Sequence, residues 1–185
     1  MKKIICTILL IAFAFTTSFA QKESISISDT NGKTTISIQN SKQKLDLKVK
    51  GEITFTEDEK GIESLSHDGS ISYKKNNNKL KVSRESDGSL LYVINGVKKS
   101  IPDTKDEILI AECVQTLISS GINGKERTEK IYKISGFNGV LKEVDRFESD
   151  YVKHIYLTAL GSKNSLSESE MISFLGKINT HLSSD

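Results

Sequence analysis

The sequence predicts an α+β fold, with an N-terminal antiparallel β-meander sheet followed by a C-terminal bundle or short solenoid of about five α-helices. Apolar residues alternate with period two between residues 24 and 101. Asn, Asp and Gly turns interrupt this alternation. After the only proline, Pro102, the apolar spacing becomes that of helices. We therefore expect a sheet region at 21–101 and a helical region at 102–185 that packs on it.

Residues 1–20 have the layout of a secretory signal peptide. Lys2 and Lys3 precede an apolar run of about a dozen residues. Ser18 and Ala20 then place small side chains at the −3 and −1 positions of a cleavage site. The apolar run is shorter than the ~20 residues that a membrane span needs. We expect an exported chain, periplasmic or extracellular, with no membrane span after cleavage; an uncleaved anchor is the alternative.

The composition of the mature chain excludes several classes of protein. Of the 26 basic residues, two lie in the leader, and the remaining 24 equal the 24 acidic residues. Without a basic excess, a general polyanion binder is disfavoured, and we expect no nucleic-acid partner. Cys113 is the one cysteine after the leader, so no internal disulfide can form and packing must stabilise the fold.

Four two-residue turns define the registers that we expect in the sheet. Each turn sets apolar residues opposite each other, and a slip of one residue would remove the match. The expected pairs are Ile27 with Ile36 across Asn31-Gly32, Tyr73 with Leu80 across Asn76-Asn77, Val82 with Val93 across Asp87-Gly88, and Ile94 with Val97 across Asn95-Gly96. Whether the hairpin at 24–39 docks on the main sheet stays open at this point.

Two strand segments show how the sheet is covered. From Leu45 to Phe55 the apolar residues share one parity, and lysines and acids hold the other, which predicts one buried and one solvated face. We interpret the lysines as a solvated face that discourages edge pairing, rather than as a basic binding patch. Residues 90–94 are apolar at both parities, so we expect this strand to be covered on both faces.

The helical region predicts five helices. The first begins at Pro102-Asp103-Thr104 and stops at Gly121, and it is apolar over most of its circumference, as buried helices are. The other four are expected at about 125–135, at about 138–147, from Ser149 or Asp150 to about Gly161, and after Ser165. Two overlapping capping boxes announce the last helix, and they pair Ser165 with Glu168 and Ser167 with Glu170.

A helical repeat of 35 residues is a further interpretation of this region. Phe147–Asp150 and Leu182–Asp185 lie 35 residues apart, and Val140 aligns with Leu175. Such a period of paired helices is typical of an α-solenoid. The alternative is that Ser-Asp before a helix is ordinary capping that occurs twice.

Several segments resemble a family of poorly characterised bacterial envelope proteins. These segments are Gly51–Ser66, Gly69–Tyr73, Tyr92–Gly96, Gly139–Leu141 and Ser149–Leu157. The likeness covers about residues 45–160 and also favours the repeat. Some members carry such a region behind a membrane zinc metallopeptidase of the antibiotic-sensor type. Because this chain has no His-Glu-x-x-His, the resemblance implies an envelope sensor or interaction region and not peptidase activity.

Few residues suggest catalysis. Cys113 shares a helical face with Ile110 and Leu117, which favours a buried core cysteine over a reactive thiol. His154 follows Asp150 by four residues and could share a metal ion or a proton with it. A zinc site needs three or four ligands, so we prefer an Asp150 that caps the helix and a His154 on its surface. We predict no cofactor and no metal.

We expect a non-catalytic binding or sensory module of the bacterial envelope that makes protein–protein interactions with an envelope partner. The interaction candidates are Asp150, Tyr151, His154 and Tyr156. Core packing and capping are their alternative roles. Two further functions stay open: a secreted enzyme with a spatially assembled site at Cys113 and His154, and a structural partner of a larger envelope assembly. The acidic run at 57–59 lacks the spacing of a calcium loop, and we interpret it as a solvated turn.

Overall fold

The fold is α+β, as predicted, and its sheet is antiparallel. The structure is a computed structural model that describes residues 24–30, 33–39, 44–163 and 166–182, with side chains at 44–163 and 166–180. Nine strands precede four helices in these residues. The strands are β1 (Ser24–Thr30), β2 (Lys33–Gln39), β3 (Lys44–Lys50), β4 (Ile53–Phe55), β5 (Ile62–Leu65), β6 (Ser70–Lys75), β7 (Asn78–Arg84), β8 (Leu90–Ile94) and β9 (Val97–Lys99). The helices are α1 (Thr104–Ser119), α2 (Gly124–Val144), α3 (Asp150–Gly161) and α4 (Glu168–Leu182).

Seven strands form the main sheet, in the order β1-β2-β3-β6-β7-β8-β9, and β4 and β5 form a separate two-stranded sheet. The expected single run from Leu45 to Phe55 is therefore divided into β3 and β4. Gly51 divides it: its φ of +76° is left-handed, and a Cβ there would lie 2.2 Å from Ser66 Oγ. The β4–β5 hairpin is consequently separate from the main sheet and contacts α2.

Three of the four predicted registers are confirmed. Ile27 pairs with Ile36, Tyr73 with Leu80, and Ile94 with Val97. The Asn31-Gly32 turn itself lies outside the described residues. The hairpin at 24–39 docks on the main sheet, because β2 pairs with β3 along its whole length.

The fourth predicted register is wrong by one residue. Val82 pairs with Tyr92, not with Val93. Glu85 N donates to Ser89 O at 2.9 Å, so the loop holds three residues and not two. Because residues 90–94 are apolar at both parities, their pattern fits either register and could not select one.

The prediction of five helices is wrong, since the described residues contain four. The expected helices at 125–135 and 138–147 are the two halves of α2. Gly136, at φ 65° and ψ −166°, is non-helical, but helical backbone resumes directly after it. A single residue absorbs the change of direction, so no loop separates the halves.

The capping signals predicted for α1 and α4 are confirmed where they are described. Asp103 caps α1 and forms a capping box with Asp106. At the start of α4, Glu170 N donates to Ser167 Oγ at 3.3 Å, and Ser167 N donates to the Glu170 carboxylate at 2.8 Å. Ser165, in the other expected box, lies outside the described residues.

The core joins the sheet to the helices as one cluster. Helix α1 packs on β7, α2 packs on α3, and α3 packs on α4. The buried residues of α1 include Leu109, Ile110, Cys113, Val114 and Leu117. None of the described helices combines the length and the apolarity that crossing a bilayer requires.

The helical repeat gains no support from burial. Val140 is fully buried, whereas the aligned Leu175 is 55 % exposed. The Ser-Asp pair that would mark the second repeat lies outside the described residues. The two aligned positions therefore have different environments.

Tyr73 places a hydroxyl group in the core without a hydrogen bond of normal geometry. Burial raises the pKa of this hydroxyl to about 12, although the nearby Thr116 hydroxyl opposes the shift. We expect Tyr73→Phe to leave the free energy of unfolding unchanged or to raise it by about 1 kcal/mol, because an unpaired buried polar group is removed. Urea denaturation measures the change.

Tyr156→Phe is the matched control for this prediction. Its hydroxyl accepts a hydrogen bond from Arg127 Nη1, so removing it should cost about 1–3 kcal/mol. A comparable loss in Tyr73→Phe would contradict the interpretation and show that the Tyr73 hydroxyl is well bonded.

Candidate functional site

Cys113 and His154, the residues that would form the site of a secreted enzyme, lie in different environments. Cys113 is 0 % exposed inside α1, and burial raises the pKa of its thiol to about 12. His154 is exposed on α3, with its Nε2 3.4 Å from Thr158 Oγ1. A buried thiol and an exposed imidazole do not form an open nucleophile–base pair.

The thiol should consequently be inert in the folded protein. At pH 8 we expect no measurable modification of Cys113 by an aromatic disulfide reagent within an hour, and complete modification in 8 M urea. The control is the double variant Cys113→Ser with Ser86→Cys, which moves the thiol to an exposed turn. Rapid labelling of native Cys113 would overturn the buried-core interpretation.

The four interaction candidates do not share one surface. Asp150, Tyr151 and His154 are exposed on the first turns of α3, whereas Tyr156 is fully buried. The expectation that Asp150 caps this helix is wrong, since Ser149 is the N-cap residue and Asp150 lies one position inside. Asp150 Oδ1 accepts instead from Lys153 Nζ at 2.9 Å.

The acidic run at 57–59 forms the tip of the β4–β5 hairpin. Asp58 Oδ1 accepts from Thr56 Oγ1 at 2.7 Å and from Lys60 N at 3.1 Å, which shapes the turn. The Thr56 hydrogen bond lowers the pKa of Asp58. Glu59, with a left-handed φ of 56°, reaches towards α2. Two of the three carboxylates in this turn are thus bound by protein groups.

Arg127 of α2 links the hairpin to the helices. Its side chain is 7 % exposed. Its Nε and Nη2 donate to the two carboxylate oxygens of Glu59, at 2.8 and 2.7 Å. Nη2 also donates to Glu143 Oε1 at 3.0 Å, and Nη1 donates to the Tyr156 hydroxyl. One guanidinium therefore joins the β4–β5 loop, both halves of α2, and α3.

Both members of the Arg127–Glu59 pair are held in their charged forms. Burial by itself would lower the pKa of Arg127, but the hydrogen bonds to Glu59 and Tyr156 raise it above its ordinary value. The hydrogen bond from Arg127 lowers the pKa of Glu59, against the opposing effect of burial.

No motif in the sequence points to Arg127, although its residue type carries a signal. Only three of the 26 basic residues are arginines, namely Arg84, Arg127 and Arg146. Arginine is favoured over lysine where a planar fork binds carboxylates or carbonyls. Arg84 donates to Leu65 O at 2.8 Å, and Arg146 donates to Glu143 at 2.8 Å. All three arginines of this lysine-rich chain are thus hydrogen-bonded to other protein groups.

A groove of about 560 Å³ runs between β4 and α2, and we call it the acidic groove. Ile53 and Phe55 supply its apolar lining. Five glutamates and two basic residues complete it: Glu52, Glu57, Glu59, Glu63 and Glu126, with Arg127 and Lys130. The formal charge of the lining is therefore −3.

The outer edge of β4 faces this groove. Ser66 N donates to Glu52 O at 3.0 Å. The pairing with β5 shifts register between Thr54 and Phe55, and Thr56 N then donates to Gly61 O at 3.0 Å. Glu52 and Thr56 therefore direct backbone groups towards β5, while Ile53 and Phe55 direct theirs outwards. Asn123 Nδ2 donates to Ile53 O at 2.5 Å from the α2 side, in agreement with this direction. The Ile53 carbonyl is thus occupied by Asn123, and the groove offers the outward backbone groups of Phe55 as an open part of the strand edge beside its charged rim.

Within the part of the chain that the structure describes, no three His, Cys, Asp or Glu side chains come together as metal ligands. No protein-family model matches this chain, and comparisons with curated proteins and with solved structures find no similar protein. The resemblance to envelope proteins accordingly stays a prediction.

Proposed function

We propose that this chain is an exported, non-catalytic binding module of the bacterial envelope, which holds a protein partner in the acidic groove. The observation that carries the proposal is the groove itself, where an open strand edge, an apolar lining and a charged rim meet in one place. These are the elements that strand-addition sites use to bind peptides.

The walls of the groove are held in place by partly buried hydrogen bonds. Arg127 fixes Glu59 with two hydrogen bonds, and Asn123 fixes the backbone of β4 at Ile53. A wall that is already ordered loses little conformational entropy when a partner binds. The arrangement favours a preformed binding site over one that must fold around its ligand.

The secreted-enzyme alternative has weaker support. Cys113 is inaccessible, and His154 lies on the exposed side of α3. Neither residue lines the acidic groove. An enzyme would need a different set of residues from the one that the sequence suggests.

A role as a structural partner in a larger assembly is favoured by one separate observation. Met171, Ile172 and Leu175 are exposed on a single face of α4. Exposed apolar side chains at this spacing are typical of a helix face that packs on another protein. A monodisperse monomer in light scattering at 100 µM would count against self-assembly through this face.

Site-specific photo-crosslinking in native cells tests the proposed function. A photoreactive residue at Thr54 should yield one abundant crosslinked envelope protein, because Thr54 lines the groove and is exposed. The same residue at Ser86, in an exposed turn of the main sheet, is the control and should yield none. Equal products at both positions, or recovery of the chain in the cytoplasm, would overturn the proposal.

A further inference from the structure

We infer that the partner segment is an extended peptide rich in lysine or arginine, which adds to the edge of β4 as a third strand. The inference rests on the proposed function and names the chemistry of what the groove binds. It follows from the charge of the rim and from the direction of the β4 backbone groups.

The negative charge of the acidic groove favours a cationic ligand. Arg127 is committed to Glu59 and Glu143, and Lys130 Nζ lies 3.5 Å from Glu57 O. The other four glutamates of the rim form no ion pair with the described side chains; they are Glu52, Glu57, Glu63 and Glu126. Carboxylates that share a groove repel one another, so a cationic ligand removes a repulsion as well as adding an attraction.

The direction of the backbone groups at the edge of β4 favours a ligand with an extended backbone. Thr56 N donates to Gly61 O of the β4–β5 hairpin, so Phe55 directs its backbone N–H and C=O away from β5, where an added strand would pair beside the occupied Ile53 carbonyl. Alternate side chains of such a strand lie on the same face, about 7 Å apart. Lysine or arginine side chains at alternate positions of the peptide would then lie beside the glutamates of the rim. The peptide residues between them would contact Ile53 and Phe55.

The acidic rim also determines which strand can pair. Charges beside an open edge prevent pairing with other copies of the same protein. The glutamates around β4 would repel the identical edge of a second copy, whereas a basic strand would be attracted. The rim therefore protects the edge and selects its partner.

Titration with a synthetic peptide tests the inference. The probe is a nine-residue peptide of alternating lysine and valine, added to the full mature chain at low salt. We expect saturable binding, with the amide resonance of Phe55 among the most shifted. The double variant Glu63→Gln/Glu126→Gln should weaken binding about tenfold. The matched control Glu85→Gln/Glu148→Gln removes two exposed glutamates elsewhere and should change the affinity by less than about twofold.

Two further probes separate strand addition from simple charge attraction. N-methylation of the peptide amides that face β4 should abolish binding, because the methyl groups remove the ladder hydrogen bonds. Unchanged affinity after methylation, or equal competition by spermine, would overturn the inference. If the peptide fails to bind while Thr54 still crosslinks a partner, this inference is wrong and the proposed function stands. If neither occurs, both are wrong.

Discussion

Replacing Arg127 by methionine is expected to lower the free energy of unfolding by about 3–5 kcal/mol. The side chain keeps similar length and apolar contacts, but it loses the hydrogen bonds to Glu59, Glu143 and Tyr156. Glu59, whose side chain is 24 % exposed, would then lack its cationic partner, whereas Glu143 would keep Arg146. Urea denaturation at pH 7 measures the loss.

Arg146→Met is the matched control, since Arg146 also binds Glu143, at 2.8 Å. Its side chain is 66 % exposed, and exposed ion pairs contribute about 0–1 kcal/mol. We therefore expect a loss of less than about 1 kcal/mol. Equal losses in the two variants would show that burial does not set the strength of this network.

The pH dependence of the Arg127 variant provides an independent check. The pKa of Glu59 is lowered from its ordinary value of 4.5 in the folded protein. Its contribution to stability is thus fully present above about pH 4.5 and is lost as the pH falls through the lowered pKa. In Arg127→Met, protonation instead relieves the unpaired Glu59 carboxylate. The difference in unfolding free energy between the two proteins should shrink from pH 7 to pH 3, and a constant difference would contradict the charge argument.

Gly124→Ala is expected to destabilise the protein by about 1–3 kcal/mol, although alanine is normally the better helix former. Gly124 is the first residue of α2, and α3 packs closely against it. A Cβ there would lie 2.7 Å from Ile155 Cγ2 and 3.1 Å from Tyr156 Cε2. Because Tyr156 is fully buried and holds Arg127, the ring cannot move without disturbing the ion network.

Gly176→Ala makes the same substitution in an open position. Gly176 lies within α4, and a Cβ there meets nothing within 4 Å. We expect a gain of about 0.5–1 kcal/mol, because alanine has the higher helix propensity. Thermal and urea denaturation of both variants give the comparison. If Gly124→Ala also stabilised, the close contact between α2 and α3 would be refuted.

Local chemistry accounts for the parts of the fold that the sequence predicted correctly. Two-residue Asn-Asn and Asn-Gly turns and period-two alternation act within a few residues, so they predict the pairing of Tyr73 with Leu80 and of Ile94 with Val97 without knowledge of the rest of the chain. The capping box at Asp103 is likewise local. The order of sheet and helices and the antiparallel topology follow from such signals.

The predicted strand register and helix count were wrong where the local sequence fits two structures equally well. Residues 90–94 are apolar at both parities, so the register with β7 was decided by a three-residue loop that the Asp-Gly signal did not reveal. Helical spacing on either side of Gly136 predicted two helices with a gap at about 135–138, but the break is confined to Gly136, whose non-helical backbone kinks α2 without a loop.

The candidate site itself depends on contacts between distant parts of the chain. Glu59 and Arg127 are 68 residues apart, as the hydrogen bonds between them record. The acidic run at 57–59 predicted only a solvated turn for Glu59, and no local motif includes Arg127. The candidates that local motifs suggested on α3 do not line the groove. The sequence by itself determined the fold class, the strand pairings set by tight turns and the burial of Cys113, because each depends on neighbours along the chain. The tertiary structure alone decided where the β4–β5 hairpin lies, which charges meet around Arg127 and which strand edge stays open, because those depend on how distant segments pack.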